Sequence, residues 1–372
     1  MQLIKNDNAM NTQPNTDASE SLLFTNHVGE AIDRFVTHAA PASVFVLTDT
    51  NTATFVLPTL RNMSEAVNNA SLIKVDAGEA YKSLDTVSRI WKLLSDGGAT
   101  RQSLLINVGG GVITDMGGFA AATFKRGIRF VNVPTTLLGA VDASVGGKNG
   151  INFNSLKNEI GTIRPADLVI VSTAFFRTLT PQELLSGYAE MLKHGFITSA
   201  EMSHRLMRYD ITAYEPEALL HLLRENVAVK SRIVAQDLND NGVRRALNFG
   251  HTEAHAFEAL AMQRRSPLSH GYAVAFGMLV AMVLSRMKLD FPSEALHSYA
   301  AYVEEHYGAF AFSCADYDAL LQFMHHDKKN ATTGIINSTL LKDFGQPVIN
   351  SSISDEDMKA AFDIYRDLLH LP

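Results

Sequence analysis

Residues 104–115 read LLINVGGGVITD and decide the fold, because an apolar run stops abruptly at three glycines. Residues 104–108 have the length and composition of a buried strand, and a helical stretch follows the glycines. Backbone amides and the positive end of a helix can approach a phosphate closely at such a junction. A tight strand-to-helix turn without a ligand is the alternative, since the run is not the G-x-G-x-x-G of ordinary dinucleotide folds.

The same alternation of strand and helix extends to both sides of this stretch. Short β-rich runs occur at 44–47, 72–75, 130–133 and 168–171, and residues 86–94 have helical spacing. This rhythm predicts a mostly parallel sheet with helices on both sides. Asp49 and Asn51 follow the first of these runs, where polar side chains typically meet a ribose.

The second half of the chain has a different character. Thr180 is a suitable N-cap for a helix that begins at Pro181, and long amphipathic stretches follow at 215–237, 252–262, 272–288, 293–306 and 355–369. We therefore predict an α/β domain over residues 20–180 and an all-α domain over residues 181–372. Residues 1–19 are rich in Asn, Thr, Gln and Asp and are predicted to form a flexible tail.

Composition restricts the class of protein. The 372 residues are 46% hydrophobic, which is typical of a folded enzyme, and the net charge of -7 disfavours nucleic acid as a partner. Cys314 is the single cysteine, so a metal would have to be held by His, Asp or Glu. No run of about 18 apolar residues and no secretory signal occurs, so we expect no membrane span and a cytoplasmic protein.

A group of histidines provides the strongest local signal. Residues 248–255 read NFGHTEAH, which places His251 and His255 one helical turn apart, and His270 follows before the next helix. Glu190 lies three residues before Lys193 in an otherwise apolar helix. Two imidazoles and a carboxylate leave a coordination position open, as catalytic metal sites do. Ordinary core histidines and a surface Glu–Lys ion pair are the alternatives.

Basic residues recur outside helical charge stripes, often beside Gly, Asn or Asp. This placement suits loops that bind a phosphate and a carboxylate, although each residue alone fits a solvated surface charge. The residues are Arg126, Lys148, Lys157, Lys193, Lys230, Arg244, Lys328 and Lys329.

Taken together, these segments resemble the 3-dehydroquinate synthase family from about Asp49 to Lys329. The matching motifs lie at 78–84, 109–115, 125–127, 133–138, 141–152, 157–161, 189–193, 247–255 and 270–271. The resemblance implies a Rossmann-like NAD-binding domain followed by an α-helical metal-binding domain. It also implies a lyase of the shikimate pathway, which supplies chorismate and the aromatic amino acids. Such an enzyme converts 3-deoxy-D-arabino-heptulosonate 7-phosphate to 3-dehydroquinate and phosphate, using catalytic NAD+ and Zn2+ or Co2+.

The resemblance assigns roles residue by residue. The implied metal ligands are Glu190, His251 and His270, which moves His255 from the metal to the substrate. The implied NAD contacts are Asp49, Asn51, Glu79, Lys82, Gly110, Gly111, Val112, Asp115, Thr135, Thr136, Lys148, Lys157 and Thr178. The implied catalytic and substrate residues are Asp142, Lys148, Asn158, Lys193, Lys230, Arg244, Asn248 and His255. Arg244 and Asn248 are expected at the substrate phosphate with Lys328, Lys329 and the Arg126 of a neighbouring subunit, which implies a homodimer.

Four positions depart from the family pattern, and alternatives to the implied activity remain. Thr114 replaces a usual Gly, Ser172 a common Asp, Tyr272 a common Glu, and Asp240 a frequent Glu.

Another sugar-phosphate cyclase is one alternative, although related cyclases differ around Lys230, Arg244, Asn248 and His255. A metal-dependent polyol or glycerol-phosphate dehydrogenase and a catalytically inactive scaffold are the others.

Overall fold

The computed structural model describes residues 21–154, 156–238, 240–325 and 335–372. The predicted N-terminal tail and the predicted phosphate contacts Lys328 and Lys329 lie outside these residues. The chain divides into two compact units. Of the described residues, those within Met1–Leu184 and Tyr214–Val227 form unit 1, and those within Leu185–Ala213 and Ala228–Pro372 form unit 2.

The described residues form ten strands and fourteen α-helices. The strands are β1 (Leu22–Phe24), β2 (Val44–Asp49), β3 (Ser71–Val75), β4 (Leu104–Gly109), β5 (Arg129–Pro134), β6 (Lys148–Phe153), β7 (Leu156–Ile163), β8 (Leu168–Val171), β9 (Ile336–Leu341) and β10 (Pro347–Ile353). The helices are α1 (Val28–Ala39), α2 (Thr50–Phe55), α3 (Leu57–Met63), α4 (Glu65–Asn69), α5 (Leu84–Asp96), α6 (Gly111–Thr123), α7 (Pro181–Phe196), α8 (Ala200–Arg208), α9 (Pro216–Gln236), α10 (His251–Gln263), α11 (His270–Leu289), α12 (Ser293–Tyr307), α13 (Tyr317–His325) and α14 (Asp355–Leu368).

Unit 1 contains the predicted parallel sheet, with the strand order β1-β8-β5-β4-β2-β3. Every pairing in this sheet is parallel. All six residues of β4 are buried, which is typical of a central strand covered on both faces. The adjacent strands β2, β4 and β5 end at Asp49, Gly109 and Pro134, so the segments after them start from one edge of the sheet.

A second, two-stranded sheet in unit 1 was not predicted. Strands β6 and β7 pair antiparallel, with Lys148 opposite Ile163 and Ile151 opposite Ile160. The glycines and polar residues at 146–149 indicated a loop in the sequence. Lys148 and Asn149 are instead the first residues of a strand, because pairing with β7 satisfies their backbone groups.

Unit 2 is built around α11, which packs against α10, α12, α14 and β9. By length and composition α11 could cross a membrane, but most of it is buried inside the protein. The helix is apolar all round, as expected for a helix with neighbours on every side. The predicted helices of the second half are therefore present, and α10, α12 and α14 pack against α11, whereas the first half of α9 belongs to unit 1.

Unit 2 differs from the all-helical prediction at one place, where β9 and β10 form an antiparallel ribbon. Five of the six residues of β9 are buried, so the sequence lacks the apolar–polar alternation that would have indicated a strand. Hydrogen bonds anchor this ribbon to the helices. The amide of Leu341 donates to Ser285 Oγ on α11 (2.9 Å), and the Thr252 hydroxyl on α10 donates to the Asn337 carbonyl (3.1 Å).

Candidate active site

The glycine turn at 109–111 connects β4 to α6 in unit 1. Gly110 is the N-cap of α6 and provides no side chain to satisfy the first amides of the helix. A Cβ atom on Gly111 would lie 2.9 Å from the Ala143 Cβ, so the turn has no room for a side chain there. The amides at the positive end of this 13-residue helix are therefore not covered by side chains. Such a helix end is a suitable site for a nucleotide phosphate.

Polar residues flank this turn on the neighbouring strands. Asp49 ends β2, and its carboxylate accepts a hydrogen bond from the Thr52 amide (2.7 Å), while Asn51 in α2 is exposed. Thr135 and Thr136 follow β5, and the Thr135 amide donates to the Gly109 carbonyl (2.9 Å). The structure thus places these predicted NAD contacts on segments that follow adjacent strands of the sheet, where α/β proteins bind nucleotides.

Lys82 joins two groups of predicted residues within unit 1. Its side chain is 4% exposed, and its ammonium contacts Asp115 Oδ2 (2.6 Å) and Asn158 Oδ1 (2.5 Å). Asn152 extends the network, since its side-chain amide donates to Glu79 Oε1 (2.8 Å) and its carbonyl oxygen accepts from the Asn158 amide (2.9 Å). The predicted NAD residues on α6 and near residue 80 are therefore connected to the β6–β7 ribbon.

The other predicted residues of unit 1 lie on short segments around the sheet. Asp142 is half-buried in the π-helical turn Gly139–Ala143, and Val112 is half-buried in the first turn of α6. The side chains of Lys148, Lys157, Arg126 and Thr178 are exposed. The Thr178 hydroxyl donates to the Phe175 carbonyl (2.7 Å), and Arg126 has a left-handed backbone (φ 65°).

Three predicted metal ligands meet in unit 2. One ligand atom each from Glu190, His251 and His270 lies within 4.8 Å of the other two. Glu190 Oε1 is 3.4 Å from His251 Nε2 and 3.3 Å from His270 Nε2. Among the described residues, neither oxygen of the buried Glu190 carboxylate has a hydrogen-bond partner of normal geometry, and Oε2 forms a close ion pair with the Lys193 ammonium. A carboxylate facing two imidazole nitrogens fits a zinc- or cobalt-sized cation, because such an ion accepts all three as ligands.

Backbone contacts bring the three ligand-bearing helices together. Glu190 lies in α7, and the Ser186 hydroxyl of this helix accepts a hydrogen bond from the Gly271 amide (3.1 Å), next to His270. Gly250 precedes His251 with a left-handed backbone (φ +74°), and a Cβ atom there would lie 2.6 Å from the Met278 amide nitrogen. The start of α10 can therefore approach α11 this closely only through a glycine.

Charges around Glu190 explain its ionisation. Burial alone would raise the pKa of Glu190, but the Lys193 ammonium and the two imidazoles outweigh burial and hold the pKa well below its usual range. Burial and the Lys193 charge lower the pKa of His251 to about 4, so this imidazole is in the neutral form that binds metals. Burial opposes the charged form of His270, but Glu190 and Glu258 raise its pKa to about 10.

Further predicted substrate residues also belong to unit 2. Lys193, Lys230 and Arg244 are buried, which is rare for cations unless they have anionic or polar partners. The Arg244 guanidinium donates to the Leu238 carbonyl (2.8 Å), and Asn248 lines a polar cleft with Thr252 and Asn337. His255 is half-buried on α10, and its ring centroid is 5.9 Å from that of His251.

Two carboxylates near these residues were not identified from the sequence. Asp237 accepts hydrogen bonds from the amides of Asn241, Gly242 and Arg244 (3.0, 2.7 and 3.1 Å), and so fixes the backbone that carries Arg244. Glu258 lies on α10 with one oxygen 3.4 Å from His270 Nδ1. The spacing of seven residues between His251 and Glu258 was the one available signal, since such residues share a helix face.

Comparison with known proteins identifies relatives over most of the chain. Residues 72–186 match the family model described as 3-dehydroquinate synthase N-terminal, and residues 187–330 match its C-terminal counterpart. A 3-dehydroquinate synthase of Parabacteroides distasonis is 48% identical over 324 residues, covering 87% of this chain and 91% of that protein.

Solved structures share the fold at lower identity. One is a 2-epi-5-epi-valiolone synthase from Streptomyces hygroscopicus with NAD+ and Zn2+ bound, with a TM-score of 0.80, 23% identity and coverage of 95% of this chain and 99% of that one. Another is a 2-deoxy-scyllo-inosose synthase complexed with carbaglucose-6-phosphate, NAD+ and Co2+, with a TM-score of 0.79, 22% identity and coverage of 93% and 96%.

Proposed function

Since the chain belongs to the 3-dehydroquinate synthase family, we propose that it converts 3-deoxy-D-arabino-heptulosonate 7-phosphate to 3-dehydroquinate and inorganic phosphate. The reaction would need catalytic NAD+ and one divalent metal ion, zinc or cobalt. The observation that carries the proposal is the cluster of Glu190, His251 and His270, in a chain whose other unit has a glycine turn suited to a nucleotide phosphate. The high identity to the P. distasonis enzyme over nearly the whole of that protein supports the choice of substrate.

Glu190, His251 and His270 would hold the metal, and the residues around the glycine turn would hold NAD+. When bound, the metal would lower the pKa of a substrate alcohol, and NAD+ would supply reversible hydride transfer. The low pKa values of Glu190 and His251 keep both groups in the forms that bind a cation. Lys193 neutralises the charge of Glu190 from one side while leaving the imidazole nitrogens facing its Oε1.

In unit 1, NAD+ would be held by the backbone at Gly110 and Gly111, with Asp49 near its ribose. Lys82 would stabilise this site indirectly as well, because its ammonium fixes both Asp115 and Asn158. We further propose residues 20–180 as the NAD-binding domain and residues 181–372 as the metal and substrate domain. The segment Tyr214–Val227 packs with unit 1 even though it lies in the second of these ranges.

In unit 2, buried cations would bind the anionic groups of the substrate. Lys230 and Arg244 have 6% and 4% of their surface exposed, so a phosphate or carboxylate paired with them is little screened by solvent. Arg244 would bind the phosphate, because a guanidinium can donate two parallel hydrogen bonds to it. His255 and Asn248 would contact the rest of the sugar acid.

The assembly and location of the enzyme are part of the proposal. We propose a homodimer in the cytoplasm, with Arg126 of one subunit reaching the substrate phosphate of the other. The exposed Arg126 side chain is available for such a contact. Lys328 and Lys329 would add further positive charge at the phosphate. The net charge of -7 gives no reason to expect nucleic acid as a partner.

A single assay separates the proposed activity from its alternatives. The purified protein is incubated with the heptulosonate phosphate, NAD+ and Co2+ or Zn2+, and phosphate and NADH are measured together. We expect phosphate release without accumulation of NADH, and 3-dehydroquinate as the product by mass and NMR. Steady accumulation of NADH would favour a polyol or glycerol-phosphate dehydrogenase. A different carbocycle would indicate another cyclase, and neither product nor bound metal would indicate a scaffold.

A further inference from the structure

His270 has a carboxylate on each side of its imidazole ring. Its Nε2 lies 3.3 Å from Glu190 Oε1, inside the cluster of three ligands. Its Nδ1 lies 3.4 Å from Glu258 Oε1, on the opposite edge of the ring. Glu258 is therefore in contact with a proposed metal ligand without belonging to the ligand set.

The position of Glu258 follows from the geometry of α10. Glu258 comes seven residues after His251, which is two helical turns and places both side chains on one face. One helix thus provides the first imidazole of the cluster and the carboxylate that contacts the second. Glu258 is 5% exposed, and a buried carboxylate requires a charged or hydrogen-bonding partner. His270, at the start of α11, is such a partner.

The two histidines show the same arrangement around Glu190. His251 Nδ1 lies 3.3 Å from the Phe249 carbonyl oxygen, and His270 Nδ1 lies 3.4 Å from Glu258. A carbonyl oxygen and a carboxylate only accept hydrogen bonds, so each Nδ1 must carry a proton. Nε2 of each ring faces Glu190, and with a metal ion bound its lone pair would be the one available to the ion.

We propose that Glu258 is a positioning residue that fixes the orientation and tautomer of His270, so that its Nε2 is presented to a divalent metal ion. The negative charge of Glu258, 3.4 Å from Nδ1, would also favour a cation bound at Nε2 on the opposite edge of the same ring. The side chain of His270 is 31% exposed, so burial alone does not fix the orientation of its ring. The proposal rests on the metal site of the proposed function and adds a residue to it.

Two substitutions separate the contributions of Glu258. Glu258→Gln keeps an oxygen that can accept the Nδ1 proton but removes the negative charge. Glu258→Ala removes both. The matched control is Glu253→Gln, because Glu253 is a buried carboxylate on the same helix whose oxygen accepts from the Ser338 hydroxyl (2.6 Å).

The experiment measures metal binding by the full-length protein without any substrate. Each variant is stripped with a chelator and titrated with Co2+ and with Zn2+ against a competing chromophoric chelator. The visible absorption of the Co2+ complex reports ligand number and geometry, which a general loss of stability would not change. Circular dichroism at the titration temperature checks that each variant is folded.

We expect Glu258→Gln to bind Co2+ about 10-fold more weakly than the unmodified protein and Glu258→Ala about 100-fold, with an altered Co2+ spectrum. Glu253→Gln should retain the affinity and the spectrum. Unchanged affinity and spectrum in a folded Glu258→Gln and Glu258→Ala would overturn the role of Glu258 while leaving the metal site intact. If the unmodified protein bound neither ion, the proposed function and this inference would both be wrong.

Discussion

The Lys193 ammonium and the Glu190 carboxylate form an ion pair one helical turn apart on α7, with 2% and 0% of their side chains exposed. Removal of one partner of a buried pair leaves an uncompensated charge, which is strongly destabilising. We expect Lys193→Met to lower the free energy of unfolding of the metal-stripped protein by about 3–5 kcal/mol, measured by chemical denaturation. Addition of Zn2+ should restore part of this loss, because the cation replaces the missing positive charge.

The control for this prediction is an exposed pair of similar sequence spacing. Lys92 lies 2.7 Å from Asp96, but the two side chains are 73% and 58% exposed. Lys92→Met should change the free energy of unfolding by no more than about 0.5 kcal/mol. If Lys193→Met and Lys92→Met changed the free energy of unfolding by equally small amounts, the predicted contribution of the buried pair to stability would be wrong.

Separate substitutions of His270 and His255, the two histidines whose rings lie next to His251, should distinguish the metal site from the substrate site. We expect His270→Ala to lose metal affinity by more than about 100-fold, because it removes a ligand and not merely a supporting contact. His255→Ala should retain the metal and lose turnover by about 100-fold or more. Metal content by elemental analysis and turnover by phosphate release measure the two effects. Metal loss in His255→Ala with metal retained in His270→Ala would reverse the assignment.

Replacement of Lys82 should weaken NAD+ binding without affecting the metal. Lys82→Met removes the ammonium that contacts Asp115 and Asn158, and a hydrogen bond to a charged group contributes about 1.5–3 kcal/mol. We therefore expect NAD+ affinity to fall about 10- to 100-fold by calorimetry. Zn2+ affinity serves as the internal control and should not change. An unaltered NAD+ affinity would contradict the assignment of Lys82 and its hydrogen-bonded partners to the nucleotide site.

Asp237 should influence the substrate through Arg244. Hydrogen bonds from the Asn241, Gly242 and Arg244 amides hold the pKa of Asp237 below its usual value. Asp237→Asn weakens these bonds, so we expect KM for the phosphate substrate to rise about 10-fold while kcat changes less. Metal affinity should be unaffected. A fall in kcat with KM unchanged would contradict a role for Asp237 in placing a binding residue.

A surface pair in unit 2 predicts a pH dependence of stability. Lys288 Nζ lies 2.6 Å from Asp357 Oδ2, and this ammonium, with the Ser354 hydroxyl, lowers the pKa of Asp357. A carboxyl with a lowered folded-state pKa stabilises the protein above its unfolded pKa of about 4, and this effect is lost as the pH falls through the folded value. Asp357→Asn should therefore cost up to about 1 kcal/mol near pH 7, because the pair is partly exposed, and almost nothing near pH 3.

The comparison variant is Asp318→Asn. Asp318 pairs with Lys359 at 3.3 Å, but its side chain is 93% exposed. Thermal unfolding of this variant should match that of the unmodified protein at both pH values. A loss of stability by Asp357→Asn that was equal near pH 7 and pH 3 would show that charge is not the cause.

Local patterns in the sequence predicted five of the six strands of the parallel sheet, and the short edge strand β1 was not predicted. The apolar run before the glycines is β4, and Thr180 caps α7, since its hydroxyl accepts from the Glu183 amide (3.2 Å). The β6–β7 and β9–β10 ribbons could not be predicted in this way. Each ribbon pairs two strands that are consecutive in the chain, but both pairings contain a register irregularity, and β9 is buried on both sides.

Residue spacing could predict the site only where its residues lie on the same helix. Spacing on α10 suggested His251 and His255 as a metal pair, whereas the cluster in the structure contains His270, which lies on α11. The contact between α10 and α11 is a product of tertiary packing, so spacing alone could not reveal it. The sequence named His270 as a third histidine, and the family resemblance chose it over His255 as a ligand. The resemblance gave no indication of Glu258 or Asp237, whose partners are a ring nitrogen and backbone amides.

The glycine before His251 has a consequence for the history of this fold. Backbone atoms of Met278 on α11 are among those that exclude a side chain at Gly250, so a mutation of the Met278 side chain alone could not make room. Replacement of this glycine would require α10 to move away from α11, and the proposed metal ligand His251 would move with it. The Gly-His dipeptide should therefore survive in remote descendants long after most of the surrounding sequence has diverged, and it can serve as a marker for finding them.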